Sequence, residues 1–490
     1  MVPPEFCLGG PAMMMWGLLG YVLIQFAIGV WVSRRIENES DYILAGRSLG
    51  PVLVVASVFA TWFGAEAIVT TSGEVYKNGL AGAAVDPFGY ALAVIISGAV
   101  FAGILWRDGL TTFADLFRKR YSRTIETLVV LIMLPGSIFW AAAQIRAFGQ
   151  VLSSSSGLSL ATTITMAAIF VGVYSAVGGL MADAVTDFFQ GTVLILGLIV
   201  LAASVAMNFA GPSEILAHVA PAKLSVFASI DDSPLARIEQ IAIAICGSLV
   251  AVELISRFLG ARSESVARWG TISGGVLYLV IGMIPLFLGL AASVLASKDP
   301  AFAAAVTETE QVVPALSARF LPEWNYVIFS GAIISAILST VHAALHAPAS
   351  QVSHNILTRL MPDLSSRGKL RTVRLTVLAL TVVAFVLALT SDRIKDLVET
   401  ASSFGSAGVF ITACFAIFSN FGGPYAAGGA IIAGELVWAL GRFALDWTAP
   451  YIAALVVSLV IYVVVGVMEA RNPSPLGEKV PRRVEGTPSA

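Results

Sequence analysis

The sequence predicts an all-α polytopic membrane protein with about thirteen transmembrane helices. The chain has 490 residues and is 57% hydrophobic but only 12% charged, whereas about a quarter of an average soluble chain is charged. Its apolar residues also fall into runs of about 20, the length of a helix that crosses a bilayer. The net charge of -2 and the three scattered cysteines predict no nucleic-acid partner, disulfide framework or cysteine metal site.

The apolar runs define the predicted spans in chain order. The first run ends before Arg34 and Arg35 and has neither a basic start nor a small-residue cleavage site. It is therefore predicted to be a lasting helix and not a signal peptide. The predicted spans are 12–33, 50–72, 83–106, 125–153, 159–178, 185–209, 237–258, 270–297, 324–356, 371–390, 396–419, 422–444 and 449–469.

The distribution of lysine and arginine predicts the orientation. If the connections alternate between the two sides, one side holds 20 of the 29 basic residues and the other holds 8, with Arg146 inside a span. The side rich in basic residues is expected to face the cytoplasm. An odd number of spans then puts the N-terminus outside and the C-terminus inside a plasma membrane, and the short loops favour a bacterial inner membrane.

Several polar residues interrupt the second and ninth spans. Glu66 lies near the predicted midplane, where a charge costs at least about 2.5 kcal/mol unless it is paired or solvated. Ser339 and Thr340 are neighbours, so their side chains point in different directions and can share a hard cation only where two helices meet. The alternatives are packing through the small Gly64 and hydroxyls that bond to their own helix backbone.

Four motifs in order resemble the sodium:solute symporter family. They are DYILAGRSLGP, FATWFGAE, VYSAVGGLMADAVTDFFQG and AILST, and the similarity runs from about Asp41 to Asn420. The resemblance implies a LeuT-type 5+5 inverted-repeat core, in which the first helix of each repeat is broken, here near Ala60–Gly64 and near Gly247 and Ser248.

The same resemblance divides the chain into segments. Residues 1–48 are predicted to hold an external N-terminus, a first peripheral helix and a cytoplasmic loop, and 210–236 an external loop. The first repeat would be 49–209 and the second 237–420, followed by two peripheral helices in 421–469. The tail, 470–490, is predicted to be cytoplasmic and disordered.

The resemblance also implies a sodium site and an ion exit. The predicted sodium ligands are the backbone carbonyls of Ala60, Phe63 and Ala336 and the hydroxyls of Ser339 and Thr340. Asp187 and Gln190 match a TD..Q motif that lies near the inner ion exit in relatives. The alternative for Asp187 is a helix N-cap.

Within the family, three short motifs resemble the high-affinity choline transporters. They place Trp62, Tyr90 and Trp140 on three core helices, where three rings can form a cage for a quaternary ammonium group. The tryptophan that those transporters carry in the sixth core helix is missing here. Glu253 in that helix, together with Glu66, favours a cationic or amine-bearing substrate. The alternatives are rings that act as interface anchors and a Glu253 that pairs with Arg257.

Two histidines and one arginine are further polar residues within the spans. His342 and His346 share a helix face, which is compatible with metal binding, with proton sensitivity or with polar packing, but no third metal ligand is evident. Arg146 needs a carbonyl or carboxylate partner, for which Glu66, Glu253 and Asp183 are candidates.

These residues predict a sodium-coupled secondary active symporter, not an enzyme, that imports a small organic solute by alternating access. Choline or a similar quaternary amine is the first candidate, and proline, a sugar or a monocarboxylate are alternatives. A sodium-binding membrane sensor is a rival of another class, and a membrane-embedded enzyme lacks an evident nucleophile or metal group. The predicted partners are the solute, Na⁺ as coupling ion and the lipid bilayer, with no organic cofactor, transition metal or nucleic acid.

Overall fold

The computed structural model describes residues 11–64, 66–209, 211–225, 233–306, 308–391 and 394–471. These residues form helices and connecting loops without a named strand, and a single isolated bridge joins Leu49 to Ala261. Residues 472–490 of the tail predicted to be disordered, and residues 210 and 226–232 of the predicted external loop, lie outside the described residues.

The α-helices are numbered in chain order. They are α1 (Pro11–Ser33), α2 (Glu39–Leu44), α3 (Pro51–Trp62), α4 (Thr71–Asn78), α5 (Tyr90–Ile96), α6 (Gly103–Arg107), α7 (Ala114–Arg120), α8 (Arg123–Ser156), α9 (Leu160–Asn208), α10 (Pro212–His218), α11 (Pro234–Ala242), α12 (Val252–Leu259), α13 (Glu264–Lys298), α14 (Pro300–Ala305), α15 (Val312–Phe320), α16 (Glu323–Gln351), α17 (Thr358–Leu360), α18 (Ser366–Thr390), α19 (Ile394–Ser403), α20 (Ser406–Phe418), α21 (Pro424–Phe443) and α22 (Pro450–Arg471).

Shorter helical turns connect several of these helices. The π-helical segments are Glu66–Thr70, Ala84–Gly89, Ser97–Ala102, Ile243–Gly247 and Val352–Leu357, and the 3₁₀ turns are Ala45–Arg47, Gly79–Ala83, Pro221–Leu224 and Thr309–Gln311. π-Helical turns are rare in proteins overall, and those that occur are often found at functional sites.

The helices that can cross a membrane do not correspond one to one with the predicted spans. Among the described residues, 10 helical segments are long and apolar enough to span a bilayer, and Gly20–Ser33 and Pro51–Trp62 are shorter apolar helices. The segment Leu160–Asn208 alone has 49 residues, about 73 Å at 1.5 Å per residue and more than twice the hydrocarbon thickness. It contains a non-helical Gly179 (φ 67°, ψ 174°) between two predicted spans. The count of thirteen therefore stays a prediction.

The first predicted helix break is present. α3 begins with Pro51, whose missing amide suits a first helical turn, and it ends at Trp62. Phe63 then leaves the helical region at φ -86° and ψ 66°, and helical geometry resumes at Glu66. Gly64 lies at the break, and a Cβ there would be 2.9 Å from the Thr340 hydroxyl of α16. The absence of a side chain at Gly64 thus allows α16 to approach the broken helix closely.

The second break lies a few residues later than predicted. The π-helical segment Ile243–Gly247 continues as helix past Ser248, and the chain becomes extended at Ala251 (φ -62°, ψ 120°) before α12 begins. Gly247 itself packs so closely that a Cβ would collide with the Ser402 carbonyl. Gly247 therefore serves close helix packing, and the change of direction falls on Ala251.

α16 forms the centre of the bundle. The apolar window in Phe329–Leu360 is 100% buried, whereas that of α22 is 28% buried. α16 packs against α8, α9 and α3, while α21 and α22 pack mainly against each other and α20. The polar residues on α16 are therefore enclosed by other helices, as backbone and side-chain groups in a membrane interior must be.

Candidate functional site: an oxygen-lined helix junction and an adjacent pocket

The break after α3 meets α16 at a junction of oxygen atoms. The Thr340 hydroxyl donates to the Ala336 carbonyl at 3.0 Å and lies 3.4 Å from the Ala60 carbonyl of α3. Ser339, Thr340, Ala60 and Ala336 are all buried. Two of the predicted sodium ligands, the Ala60 and Ala336 carbonyls, are thus within hydrogen-bonding distance of a third, the Thr340 hydroxyl. Hydroxyl and carbonyl oxygens are the donors that a hard cation prefers.

Phe63 and Asp187 border the same junction. Phe63 is fully buried at the break, where its ring stacks on Phe59 with centroids 4.9 Å apart. Asp187 accepts hydrogen bonds from the hydroxyls of Ser57 on α3, at 2.6 Å, and of Ser339 on α16. Asp187 therefore joins three helices beside the predicted ion ligands. Sequence analysis did not identify Ser57, although it lies one helical turn before Ala60.

The N-cap alternative for Asp187 is wrong. Asp187 lies well inside α9, beyond the non-helical Gly179, so helix extends on both sides of it. Gln190 follows one turn later and is 1% exposed, and neither polar atom of its amide has a hydrogen-bond partner within the described part of the chain. A buried amide that lacks partners is costly, so Gln190 is suited to contact an ion or water that passes it.

The five residues predicted from the sequence to bind the substrate all line one pocket. They are Trp62, Glu66, Tyr90, Trp140 and Glu253. The other lining residues are Met133, Gly136, Ser137, Gly247, Ser248, Ala251, Val398, Ala401, Ser402, Phe404 and Ser406. None of these lining residues is lysine, arginine or histidine. The pocket lies against both helix breaks and therefore next to the oxygen-lined junction.

Two tryptophans form an aromatic corner in this pocket. The rings of Trp62 and Trp140 meet edge to face, with centroids 5.5 Å apart and an interplanar angle of 60°. Tyr90 also lines the pocket. Gly247 and Ser248, in the sixth core helix, provide a wall of small residues where the resemblance would place another ring. The ring faces attract an organic cation, and the small wall leaves space beside it.

Neutral donors hold the two pocket carboxylates. Glu66 accepts from the Trp140 indole at 3.0 Å and from the Gln144 amide at 2.7 Å, while Glu253 accepts from the Ser137 hydroxyl at 2.5 Å. Sequence analysis missed both Ser137 and Gln144. Their helical spacing from Trp140 on α8 is the signal that could have found them.

The predicted alternative of a Glu253–Arg257 pair is wrong. Arg257 forms an ion pair with Asp183, and both side chains are fully buried. The carboxylate of Asp183 also lies 3.0 Å from the Nδ1 atom of His342. Arg257 thus belongs to a separate network behind the pocket, which leaves Glu253 with Ser137 in the pocket wall.

The two histidines belong to that second network. The rings of His342 and His346 stack with centroids 5.3 Å apart, and the Nε2 atom of His346 lies 2.9 Å from the Tyr42 carbonyl. No group of three His, Cys, Asp or Glu residues suited to a metal ion occurs in the residues that were described. Arg146 donates to the Ala388 carbonyl at 3.0 Å, so one of its partners is a backbone carbonyl, as one of the predicted alternatives required.

A larger polar cavity adjoins the pocket. Glu66, Tyr90, Val398 and Ser402 line both spaces. The larger cavity continues to Lys77, Arg237 and Arg442, which the predicted alternation of spans puts on the side with fewer basic residues. The pocket thus communicates with the side that the positive-inside rule assigns to the exterior.

Broken helices that enclose an oxygen-lined junction, with a pocket beside it, define the core of a secondary transporter. The fold matches known transporters of this class. A sodium-coupled sialic acid symporter, solved in a substrate-bound outward-open state, aligns with a TM-score of 0.82 at 17% identity, covering 93% of this chain and 98% of that chain. The nucleobase-cation-symport transporter Mhp1 aligns with a TM-score of 0.59 at 15% identity, covering 90% and 96%. The predicted LeuT-type all-α fold is thereby confirmed.

The chain belongs to the sodium:solute symporter family, whose sequence profile matches residues 42–434. A high-affinity choline transporter of Caenorhabditis elegans is 26% identical over 78% of this chain and 70% of its own length. A sodium/glucose cotransporter of Vibrio parahaemolyticus is 28% identical over 75% and 72%, and a sodium/proline symporter of Salmonella typhimurium is 25% identical over 79% of each.

The relatives confirm several predictions. Because the family and these relatives are transporters, the expectation of a transporter and not an enzyme is confirmed, as is Na⁺ as the coupling ion of the family. The multi-pass membrane assignment is also supported. The relatives differ in the solute that their names give, so they do not select one for this chain.

Proposed function

We propose that this chain imports a small organic cation together with sodium, by alternating access. The observation that carries the proposal is the composition of the pocket: two tryptophan rings and two carboxylates, with no basic residue in its wall. Ring faces and carboxylates both favour a cation over a neutral or anionic solute. A quaternary amine such as choline is the first candidate for the cationic group.

Sodium in this proposal binds to the carbonyls of Ala60, Phe63 and Ala336 and the hydroxyls of Ser339 and Thr340. The support is that the Ala60 and Ala336 carbonyls both lie within hydrogen-bonding distance of the Thr340 hydroxyl, in a buried position. Asp187 and Gln190 would guide the ion toward the cytoplasmic exit. The buried, unpaired amide of Gln190 within the described chain supports that role.

The chain connectivity explains how the two ligands would be coupled. Ala60 and Trp62 lie in the last turn of α3, so an ion that orders this turn also fixes one wall of the substrate pocket. Each ligand would then favour the same outward-facing conformation. One elementary charge that crosses 100 mV supplies about 2.3 kcal/mol, which supports roughly fifty-fold accumulation of the solute.

The remaining predictions are part of the same proposal. The repeats would be 49–209 and 237–420, with the N-terminus outside and the C-terminus in the cytoplasm of a bacterial inner membrane. His342 and His346, buried beside Asp183, are proposed to modulate coupling if they bind a proton. Proline, a sugar or a monocarboxylate remain the alternative solutes. The two pocket carboxylates disfavour a monocarboxylate because like charges repel in a poorly solvated site.

A binding assay on the purified protein tests the proposal. Tryptophan fluorescence and thermal stability would be measured with choline, betaine, proline, glucose and lactate, each in sodium and in potassium. We expect choline to shift both signals in sodium only. A sodium-dependent shift with glucose or lactate and none with choline would contradict the cation assignment.

A second assay separates transport from sensing. Proteoliposomes loaded with unlabelled solute should accumulate labelled solute by counterflow when sodium is present on both sides. Binding without any counterflow, in vesicles that contain correctly folded protein, would favour a sodium-binding sensor over a symporter.

A further inference from the structure

Glu253 places a second carboxyl group in the pocket, apart from the aromatic corner. Its side chain is 4% exposed and lines the same pocket as Glu66. Among the described residues, no basic side chain forms an ion pair with either carboxylate, because Arg257 is engaged with Asp183. A substrate with a single positive charge would therefore leave one pocket carboxylate without a countercharge, which is costly when both partners lose water.

The donors that hold the two carboxyl groups lie at different heights along α8. Ser137, which holds Glu253, and Trp140 and Gln144, which hold Glu66, lie on one face of α8. At 1.5 Å per residue, their positions are separated along the helix axis by roughly 5–10 Å. That separation is comparable to the distance between the two nitrogens of a short linear diamine.

The walls around the two carboxylates also differ. Glu66 bonds to one ring of the aromatic corner, which suits an alkylated ammonium group. Glu253 lies in α12 just after the extended Ala251, and the small residues Gly247 and Ser248 line the pocket just before it, with no ring from this broken helix in the pocket. A small, hydrogen-bond-donating ammonium group fits this end better than a bulky one.

We propose that the transported solute is a linear organic dication of the diamine class, with one ammonium at Glu66 under the Trp62–Trp140 corner and the other at Glu253. The inference rests on the proposed function, because it names the substrate class of the same pocket. The two charges of the solute would neutralise the two carboxylates, and the neutral donors Ser137 and Gln144 would keep those carboxylates in position.

Matched ligands test the proposal directly. Affinities for putrescine, butylamine and choline would be measured in sodium at neutral pH by thermal stability and by competition for uptake. Putrescine and butylamine have the same carbon chain and differ in the second ammonium group. In the unmodified protein, putrescine should bind at least about tenfold more tightly than butylamine, because a second charge-assisted contact forms in a poorly solvated site.

Variants assign the preference to Glu253. Glu253→Gln should abolish the difference between putrescine and butylamine, whereas Glu253→Asp should retain part of it. Glu469→Gln is the matched control, because Glu469 accepts from the Gly423 and Tyr425 amides and lines neither the pocket nor the larger cavity, and it should keep the full preference. The thermal stability of each variant without ligand shows whether it is folded.

The outcomes separate this inference from the proposed function. Sodium-dependent binding of choline or butylamine that equals or exceeds that of putrescine would overturn the dication inference but leave the cation symporter standing. An unchanged putrescine preference in Glu253→Gln would also overturn it. If none of the three cations binds in sodium to the folded protein, the proposed function itself fails.

Discussion

The hydroxyls of Ser339 and Thr340 on α16 contact groups on two other helices. The Thr340 side chain reaches the Ala60 carbonyl across a helix break, while Ser339 reaches the carboxylate of Asp187. Adjacent residues on a helix point about 100° apart, so the pair can serve one ion only because α3 and α9 contribute the remaining walls. The same geometry would be unremarkable on a helix that faces lipid.

We expect the double variant Ser339→Ala with Thr340→Ala to abolish sodium-stimulated uptake while the protein remains expressed and folded. The substitution removes both side-chain oxygens from the proposed ion site and leaves the backbone carbonyls in place. Uptake of labelled solute into vesicles in sodium and in potassium measures the effect. Ser335→Ala removes a hydroxyl from the same helix that bonds to Tyr21, so it is the control and should retain sodium stimulation. Undiminished stimulation in the double variant would refute the ion-site assignment.

The buried Asp183–Arg257 pair predicts a stability effect. Asp183→Asn should lower the free energy of unfolding by about 3–5 kcal/mol, because it leaves the fully buried guanidinium of Arg257 without its countercharge. Thermal unfolding in detergent measures this loss. Adding Arg257→Gln to the Asp183→Asn variant should recover part of the stability, since no isolated charge then remains. A single variant as stable as the unmodified protein would mean that the pair does not hold the helices together.

The helix breaks are the elements that create the site. α3 stops at Trp62 and the second broken helix becomes extended at Ala251, so both present main-chain and side-chain groups to the middle of the bundle. Each break is enclosed by other helices, which satisfies the rule that non-helical backbone at membrane depth occurs only where it is buried or lines a cavity. Glycine permits this enclosure at Gly64, where α16 comes close to the break.

Gly64→Ala tests the need for this close approach. A Cβ would lie 2.9 Å from the Thr340 hydroxyl and 2.8 Å from the Glu66 carboxylate, so α16 or the broken helix must shift. We expect sodium affinity to fall about tenfold or more, because a displacement of the ligand oxygens weakens an ion site. A sodium titration of thermal stability measures it. Gly20→Ala, at a position where a Cβ would meet nothing within 4 Å, should behave as the unmodified protein. An unchanged sodium affinity in Gly64→Ala would contradict the proposed packing.

At the scale of the whole molecule, the large cavity and a cluster of ionic contacts involve different residues. The pocket adjoins a larger cavity that reaches Lys77 and Arg442, and ionic contacts join other parts of the bundle. Among these, Glu126 on α8 pairs with Arg359 beyond α16 and accepts from Asn355 at 2.7 Å. The pocket therefore adjoins a cavity at Lys77 and Arg442, while the buried Glu126 joins α8 to the chain that follows α16.

Reciprocal coupling is the prediction that belongs to the whole molecule. If sodium and solute favour the same conformation, saturating sodium should raise the affinity for the solute by the same factor as saturating solute raises the affinity for sodium. Two calorimetric titrations, each with and without the other ligand, measure both factors. The Ser339→Ala, Thr340→Ala variant should lose both increases together. Because linkage makes the two factors equal for any mechanism, the informative result is their size: a factor of one in both titrations would show that the two ligands do not favour the same conformation.

The membrane class, the family and the candidate residues could be predicted from the sequence, because apolar runs, charge bias and ordered motifs are local properties of the chain. The sequence could also place Trp62, Tyr90 and Trp140 on separate helices. The tertiary structure decided which polar groups meet. From the sequence, Arg257 could pair with Glu253, which lies one turn away on the same helix. In the fold, Arg257 instead forms an ion pair with Asp183 on α9, and Glu253 accepts a hydrogen bond from Ser137 on α8. Spacing along one helix defines only which residues share a face, whereas contacts between helices depend on how the broken helices pack around α16.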